Sequence, residues 1–395
     1  MSQQVSDAEI PFDHNSPEFH EDPYGWYRRL REAAPVYRHE SGSWLLTRHR
    51  DCLFALEDPR FRNVENVRCY SDEAVQSTPD GDGADFVKLR KAVAKAIAPA
   101  AVRRFQPTIQ RIVDGLLDDA LDAGQVELMR DFCYPLATIV FCEIFGIPTR
   151  DRTMFRNWIE PIVEGLDVAM GLSQEVVERS TRAREEFSDY LRELVAERRS
   201  HPEDDLLTDF IQIQQDGRRL TVDELVSSSI ILLVAGHETS ASIAGNAILT
   251  LLRNPAELNL LRDDPDLWPL AFEELLRYDP PAQLITRAAS VDIEVGGRQL
   301  QENDIVVSVI AAANRDPEVF TDPDRLDLRR TPNPHIAFGH GPHYCLGTAL
   351  ARMEGITALE TLVKRAPGLS LTDDSPSYKP TVTRRALETL WARLR

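Results

Sequence analysis

The sequence predicts a single large domain that is mainly α-helical and contains only small β-sheets. Spaced apolar residues with charged partners recur in eleven segments, whereas strand-like alternation is confined to three short ones. No repeat or linker divides the 395 residues, and 43% of them are hydrophobic, which is enough for a large core. We therefore predict one domain over residues 1–395, with residues 1–21 loosely ordered.

The helical pattern combines apolar residues spaced three or four apart with charged residues between them. It is found in residues 24–34, 86–98, 105–123, 134–145, 152–165, 176–200, 204–215, 222–253, 256–262, 267–278 and 347–365. The strand pattern, in which apolar and polar residues alternate, is found in residues 36–47, 291–295 and 305–310.

The chain carries 45 Lys and Arg residues against 64 Asp and Glu residues, a net charge of −19. An acidic surface repels phosphates, so we expect binding neither to nucleic acid nor to a membrane. The five cysteines stand at irregular spacings without a C-x-x-C pair, which argues against a disulfide framework. We find no signal peptide and no apolar run of bilayer length, and expect a cytoplasmic monomer.

The longest predicted helix, residues 222–253, is the most informative element. Thr221 and Glu224 form a capping box at its start, and Asn254-Pro255 ends it, which gives a rod of about 48 Å. Residues 230–236 are apolar on every face, which predicts burial on all sides. The polar run 237–240 then needs hydrogen-bond partners or a water-filled cavity. The simplest alternative is a threonine hydroxyl bonded to the carbonyl four residues earlier.

A glycine-rich segment, Phe338-Gly-His-Gly-Pro-His-Tyr-Cys-Leu-Gly347, precedes the last predicted helix. Three glycines around one cysteine indicate a backbone that closely approaches something flat, because glycine lacks a Cβ atom. The start of the following helix would stabilise a thiolate at Cys345. A lone cysteine is more often part of the packed core, so this segment alone leaves both interpretations open.

The same segment resembles the haem-binding loop of the cytochrome P450 monooxygenases in their soluble bacterial form, and it matches at every fixed position. Three further motifs follow the family in order and spacing. They are Ala235-Gly-His-Glu-Thr239, the pair Glu274 and Arg277, and Ala313-Asn-Arg-Asp-Pro317. The resemblance covers about residues 22–394. It implies the cytochrome P450 fold, with haem between a long central helix and a cysteine loop.

The resemblance implies how haem b, iron protoporphyrin IX, is held. Cys345 supplies the axial thiolate to the iron, within a loop that includes Phe338, Gly339 and Gly347. By motif position, the partners of the haem propionates are His343, Arg287 and Arg90. The family often has a further histidine where this chain has Phe86, so one propionate contact stays open.

The resemblance also assigns the catalytic and structural polar residues. Glu238 and Thr239 are the acid and alcohol that deliver protons to dioxygen in an otherwise apolar pocket. Glu274, Arg277 and Arg325 form a structural ion cluster. His237 lies where the family varies, and we interpret it as an ordinary hydrogen-bonded helix residue.

The residues of the substrate pocket implied by the resemblance are mainly small or apolar, which suits a largely hydrophobic small molecule. Its predicted residues are Leu232, Ala235, Gly236, Gln283, Leu284 and Ile285, with residues 168–172 above them. We expect a hydroxylation or epoxidation in secondary metabolism or catabolism. Two alternatives are a peroxide-driven haem-thiolate peroxygenase and a haem-binding protein without turnover. The first of these tends to lack the acid and alcohol pair, which this chain has.

The electrons must come from another protein, because no nicotinamide or flavin fingerprint is present. The segment 86–113 carries seven basic residues and no acidic ones. Such a local excess in an acidic chain favours an acidic partner. We predict a ferredoxin with its ferredoxin reductase as the electron source, docking in part on Arg103 and Arg104.

Overall fold

The computed structural model of the chain describes residues 16–63, 90–91, 93–165, 173–215, 218–372 and 376–395. These residues fall into two compact units. The first unit contains the described residues within 1–65, 246–345 and 375–389. The second unit contains those within 66–245, 346–374 and 390–395. Three features that the sequence singled out lie outside the described residues: Phe86, residues 168–172 and part of the basic segment 86–113.

The α-helices confirm the prediction that helical structure dominates. They are α1 (Pro17–Glu21), α2 (Tyr24–Ala33), α3 (His49–Glu57), α4 (Pro99–Val102), α5 (Gln106–Ala123), α6 (Tyr134–Phe145), α7 (Arg152–Glu164), α8 (Gln174–Ser200), α9 (Leu206–Gln212), α10 (Val222–Arg253), α11 (Pro255–Asp263), α12 (Trp268–Tyr278), α13 (Ile310–Ala313) and α14 (Thr348–Arg365). Short 3₁₀ turns and one π-helical turn, Met129–Cys133, connect some of them.

The β-strands are short, as predicted. They are β1 (Val36–Arg38), β2 (Trp44–Leu46), β3 (Phe61–Asn63), β4 (Gln125–Glu127), β5 (Gln214–Gln215), β6 (Arg218–Arg219), β7 (Leu284–Ala289), β8 (Ile293–Val295), β9 (Arg298–Leu300), β10 (Ile305–Val309), β11 (Ser370–Leu371) and β12 (Trp391–Arg393).

The first unit contains a five-stranded sheet with the order β1-β2-β10-β7-β3. β10 pairs in parallel with β2, with Val307 opposite Leu45, and antiparallel with β7, with Val306 opposite Arg287. One face packs on a buried cluster that includes Leu46, Val306 and Ile336. The second unit contains a three-stranded sheet with the order β11-β12-β4 and the hairpin β5-β6.

The capping box at the start of α10 is confirmed. The backbone N–H of Thr221 donates to the Glu224 carboxylate at 2.7 Å, and the backbone N–H of Glu224 donates to the Thr221 hydroxyl at 3.2 Å. The helix ends at Arg253, directly before Asn254-Pro255, because proline lacks the N–H that would continue it. The last eight residues of α10 belong to the first unit.

The prediction that α10 is buried on every side over residues 230–236 is wrong. Ile231 is 53% exposed, and Ala235, one turn further on, is also exposed, whereas Leu233 and Val234 are buried. An apolar run without periodicity cannot show that one stripe of the helix is uncovered. The exposed stripe continues along the helix to Thr239, which is half-buried.

A buried ion cluster in the first unit confirms the predicted pair on α12. Arg277 donates to both oxygens of Glu274, at 2.7 and 2.8 Å, and both side chains are fully buried. The prediction of Arg325 as the third member is wrong. The guanidinium that reaches Glu274 is that of Arg330, at 3.1 Å, and Arg325 supplies only its carbonyl oxygen to Arg277 and Arg330.

Some elements lie where the sequence analysis placed none. α3 was not predicted, since its nine residues contain only a short apolar stripe. α1 falls within the segment expected to be loosely ordered, and Ser16 caps it by accepting a hydrogen bond from the N–H of Phe19 at 3.1 Å. β12 was not predicted because strands this short carry little alternation.

Candidate functional site

The cysteine loop of the first unit is closed by its own backbone. The N–H of Cys345 donates to the carbonyl of Phe338 at 2.9 Å, and the N–H of Tyr344 donates to the carbonyl of Gly341 at 3.0 Å. The rings of Phe338 and Tyr344 meet edge to face with centroids 6.4 Å apart. The loop therefore presents Cys345 at the end of a tight bend, three residues before α14 begins at Thr348.

Two glycines of this loop are required by its backbone conformation. Gly339 and Gly341 have φ angles of 73° and 70°, in the left-handed region that other residues rarely adopt. A Cβ atom on Gly341 would also lie 2.6 Å from the carbonyl oxygen of Leu56. Gly347 differs, because its φ of −79° suits any residue and it stands at the N-cap of α14. The backbone conformation therefore requires glycine at positions 339 and 341 but not at position 347.

Cys345 is chemically distinct from the other cysteines that the structure describes. Cys52, Cys133 and Cys142 are buried free thiols, and burial raises the pKa of Cys142 to about 12. Among these four residues, Cys345 alone is exposed. A thiol that a ligand can reach, on a rigid loop next to a helix start, fits the donor chemistry of an axial ligand to haem iron.

The predicted residues of the first unit lie on the loop and on β7. Arg287 is buried on β7 of the five-stranded sheet, where its guanidinium donates to the carbonyl of Thr286 at 2.9 Å. His343 lies half-buried in the turn Gly341–His343. The Ile285 side chain approaches within 3.5 Å of the position that a Cβ on Gly339 would take. The structure therefore brings β7 and the cysteine loop together.

Gln283, a predicted substrate residue, is held by its own surroundings. Its side-chain amide donates to the carbonyl of Pro280 at 2.6 Å, and its backbone N–H donates to the carbonyl of Thr383 at 2.9 Å. The residue is 2% exposed. The other two substrate residues predicted on this segment, Leu284 and Ile285, are half-buried, so part of each side chain is accessible to a substrate.

The remaining predicted residues lie in the second unit, and most of them are on α10. Leu232 is half-buried and Ala235 is exposed on the uncovered stripe of the helix. Gly236 has a packing reason to be glycine, because a Cβ there would lie 2.1 Å from the ring of Phe141 on α6. Arg90 is half-buried in a helical stretch before α4.

The hydroxyl of Thr239 donates within its own helix. Its Oγ1 lies 2.6 Å from the carbonyl oxygen of Ala235 and 3.2 Å from that of Gly236. This is the simplest alternative that the sequence allowed, and it is confirmed. The Thr239 oxygen can still accept a further hydrogen bond, since it retains lone pairs.

Sequence reasoning missed the partners of the polar run on α10. The phenol of Tyr134 donates to the Glu238 carboxylate at 2.9 Å, and Oγ1 of Thr138 lies 2.8 Å from Nε2 of His237. The interpretation of His237 as a hydrogen-bonded helix residue is confirmed. Two polar residues four apart, Tyr134 and Thr138, at the start of the largely apolar helix α6 were the signal that could have found these partners.

A second missed group is Glu354 on α14, which is 3% exposed. It accepts a hydrogen bond from the Ser240 hydroxyl at 3.3 Å, beside a small cleft that Leu136 and Ile243 also line. Burial raises the pKa of Glu354 to about 7, and the Ser240 hydrogen bond opposes this rise only weakly. The carboxyl is therefore protonated in the folded protein below neutral pH.

We expect the Glu354→Gln substitution to remove part of the pH dependence of stability. A carboxyl whose folded pKa is raised contributes stability that is fully present below its unfolded pKa of about 4.5 and is lost as pH rises through 7. Glutamine stays neutral, so at pH 8 the free energy of unfolding should exceed that of the wild type by about 3 kcal/mol.

Urea unfolding at pH 5 and pH 8 measures this difference. The difference between Glu354→Gln and the wild type should be small at pH 5 and large at pH 8. Glu360→Gln, on the same helix, serves as the control. Its free energy of unfolding should differ from that of the wild type by the same amount at pH 5 and at pH 8. A Glu354→Gln variant whose stability follows the wild type at both pH values would contradict the assignment.

Comparison with known proteins shows to which protein family this chain belongs. The sequence profile of the Cytochrome P450 family matches residues 80–264 and 267–376. The biotin biosynthesis cytochrome P450 of Bacillus subtilis is 35% identical over 390 residues, which cover 95% of this chain and 97% of that protein. The nocardicin C N-oxygenase of Nocardia uniformis is 38% identical over 366 residues, covering 89% of each chain.

Among solved structures, the crystal structure of P450BioI in complex with an acyl carrier protein that carries hexadec-9Z-enoic acid aligns with a TM-score of 0.90. It is 34% identical, and the alignment covers 96% of this chain and 99% of that chain. The chain belongs to the cytochrome P450 family and is a monooxygenase, and haem is the cofactor of this family. None of the helices within the described residues is both long and apolar enough to cross a membrane.

Proposed function

We propose that this chain is a haem b monooxygenase that uses dioxygen and inserts one oxygen atom into a small, largely hydrophobic organic molecule. The reaction is a hydroxylation or an epoxidation in secondary metabolism or catabolism, and the electrons come from a ferredoxin. The observation that carries this proposal is the exposed Cys345 on a loop that two left-handed glycines shape.

In this proposal, Cys345 binds the haem iron, and Phe338, Gly339 and Gly347 complete the loop around it. A haem with a thiolate ligand supplies the activation of dioxygen, because the sulfur donates electron density that favours cleavage of the O–O bond. His343, Arg287 and Arg90 neutralise the propionates, which are anions that need cationic or donor partners. The position of Arg287 supports its role, because it lies on β7, whose Ile285 side chain lies beside Gly339 of the cysteine loop.

Glu238 and Thr239 serve proton delivery in the proposed reaction. Glu238 is 7% exposed, and it provides a carboxyl that can hold and release a proton beside an apolar stripe of α10. The Thr239 hydroxyl, whose proton is donated to the Ala235 carbonyl, provides a hydrogen-bond acceptor at the next position of the helix. Both functions require polar groups in a region that excludes bulk water.

The substrate class follows from the side chains that are left uncovered. Leu232, Ala235, Leu284 and Ile285 are apolar and exposed or half-buried, and none of them carries a charge. These residues suit a hydrophobic substrate that a few polar contacts orient. The relatives named for biotin biosynthesis and for nocardicin C N-oxygenation support a role in biosynthetic metabolism.

A spectral screen followed by labelled dioxygen tests the proposed function. Small hydrophobic compounds that change the haem absorption of the purified protein are incubated with a ferredoxin, its reductase, nicotinamide cofactor and ¹⁸O₂. One ¹⁸O atom in the product is the expected result. Product that forms with peroxide but not with reductant and dioxygen would favour the peroxygenase alternative, and no product under either condition would favour a haem-binding protein without turnover.

Substitution of Thr239 by alanine should uncouple electron use from product formation. The variant loses the hydroxyl next to Glu238, so the proton supply is disturbed while the fold keeps its helix. We expect nicotinamide oxidation to continue, product per nicotinamide to fall about tenfold and peroxide to rise. Assays of nicotinamide, product and peroxide measure the ratio, and a variant that couples as well as the wild type would require another proton route.

We propose that, of the two arginines predicted for ferredoxin docking, Arg103 makes the larger contribution. Both arginines are exposed, but Arg104 forms ion pairs with Asp204 and Asp209 of its own unit, whereas no ion pair of Arg103 is found among the described residues. Arg103→Glu should therefore slow electron transfer from ferredoxin several-fold at low salt and flatten its salt dependence. Arg199→Glu, a charge reversal at another exposed position of this unit, is the control. Equal effects of the two reversals would refute a specific role for Arg103.

A further inference from the structure

One face of α6 contacts three consecutive residues of α10 within the second unit. Tyr134, Thr138 and Phe141 are four and three residues apart, so they share a face of α6. Phe141 packs where Gly236 lacks a Cβ atom, Thr138 meets His237, and Tyr134 meets Glu238. The contacts fix the register of the two helices at the position of the predicted acid.

The hydrogen bonds of Thr138 show whether its hydroxyl or the His237 imidazole is the donor in the contact between them. A hydroxyl has one proton, and that of Thr138 is donated to the carbonyl of Tyr134, one turn earlier, at 2.9 Å. The 2.8 Å contact with His237 therefore has Nε2 of the imidazole as the donor and the Thr138 oxygen as the acceptor. His237 is 1% exposed, so this hydrogen bond links a buried imidazole of α10 to α6.

Tyr134 holds the neighbouring carboxylate in a similar way. Its hydroxyl donates to Oε1 of Glu238 at 2.9 Å, and its ring lies beside the ring of His237 with centroids 6.2 Å apart. Burial, together with the charge of Glu238, raises the pKa of Tyr134 far above its ordinary value, so the phenol remains a donor at physiological pH. Besides Glu238 and His237, Glu160 on α7 and the buried thiol of Cys133 are titratable groups near this phenol.

We propose that Tyr134 is a positioning residue for Glu238. The phenol holds one carboxylate oxygen of Glu238 against α6. It also favours the ionised carboxylate, because a donated hydrogen bond stabilises the negative charge. The proposal rests on the proposed function of Glu238 in proton delivery. Tyr134 itself transfers no proton in it. The function of the phenol is to set where the carboxyl lies and at which pH it ionises.

Infrared difference spectroscopy of the haem-loaded protein tests the proposal directly. The band of a protonated carboxyl that is present in the wild type and absent in Glu238→Gln reports the titration of Glu238. We expect its midpoint to rise by about one pH unit in Tyr134→Phe, because the carboxylate loses one donated hydrogen bond. Product formed per nicotinamide, measured on a compound from the spectral screen, should fall in the same variant.

Tyr190→Phe provides a matched control in the same unit. The Tyr190 hydroxyl also donates to a carboxylate, that of Asp151, at 3.0 Å, and burial also raises its pKa. This variant should leave the Glu238 midpoint unchanged. Thermal unfolding of both variants shows whether each retains its fold, and a folded Tyr134→Phe variant with a wild-type midpoint would overturn the proposal.

The double variant Tyr134→Phe/Glu238→Gln separates this proposal from the proposed function. If Tyr134 acts through Glu238, the double variant should couple no worse than Glu238→Gln alone. A further loss in the double variant would overturn the positioning role. If Glu238→Gln couples like the wild type while Tyr134→Phe still shifts the carboxyl midpoint, the proton-delivery function fails but the contact between the two residues stands.

Discussion

Replacement of Cys345 by alanine should abolish the strongly red-shifted Soret band of the reduced carbon monoxide adduct. The variant removes the sulfur that we assign to the haem iron, and no other exposed thiol is found among the described residues. Monooxygenase activity should fall by at least about a thousandfold, because the thiolate is the ligand that favours O–O cleavage. The absorption spectrum and the haem content of the purified variant measure the effect.

The variant Cys133→Ala serves as the control for this prediction. Cys133 is a buried thiol whose pKa is raised by burial, so its loss should leave a small cavity but the same spectrum. Circular dichroism would establish that both variants are folded. A Cys345→Ala protein that keeps the red-shifted band would refute the assignment of the ligand.

Substitution of Glu274 by alanine should destabilise the protein by about 3 to 5 kcal/mol or prevent folding. The carboxylate is fully buried and accepts hydrogen bonds from two guanidinium groups, those of Arg277 and Arg330. Its removal leaves both cations in the interior without a counter-charge. Urea unfolding measures the loss, and any haem that is lost in this variant reports folding rather than ligation.

An exposed ion pair provides the contrast. Arg156 and Glu160 on α7 are a pair at i and i+4, with both side chains about half exposed. Since water and salt screen such pairs, Glu160→Ala should change the free energy of unfolding by about 0.5 kcal/mol or less. If both glutamate variants had the same small effect, the buried cluster would not be the structural centre that we describe.

Sequence reasoning predicted the local features well, for physical reasons. The ends of α10 follow from a capping box and a proline, and the pair Glu274 and Arg277 follows from helical spacing. Each of these depends on residues within one or two turns of each other. The left-handed glycines of the cysteine loop belong to the same class, because glycine alone adopts that conformation easily.

The features that the sequence did not predict depend on residues far apart in the chain. Arg330 stands 56 residues from Glu274, and no spacing rule connects them. Tyr134 and Glu238 are 104 residues apart, and Ser240 and Glu354 are separated by 114. The uncovered stripe of α10 at Ile231 and Ala235 likewise depends on what packs around the helix, which periodicity does not contain.

The assignment of the site residues came mainly from the family resemblance. Composition and periodicity indicate a large helical protein, and an isolated cysteine among glycines leaves packing and ligation open. The structure adds that Cys345 is exposed and that Gln283 and Gly236 have structural reasons for their identity. The roles of His343, Arg287 and Arg90 toward the propionates stay predictions.

Electron paramagnetic resonance of the ferric, haem-loaded wild-type protein tests ligation by Cys345 most directly. We predict a low-spin signal with the narrow spread of g values that thiolate-bound haem shows, and its loss in Cys345→Ala. A signal of the bis-imidazole type, or a polypeptide that takes up no haem on reconstitution, would contradict the account.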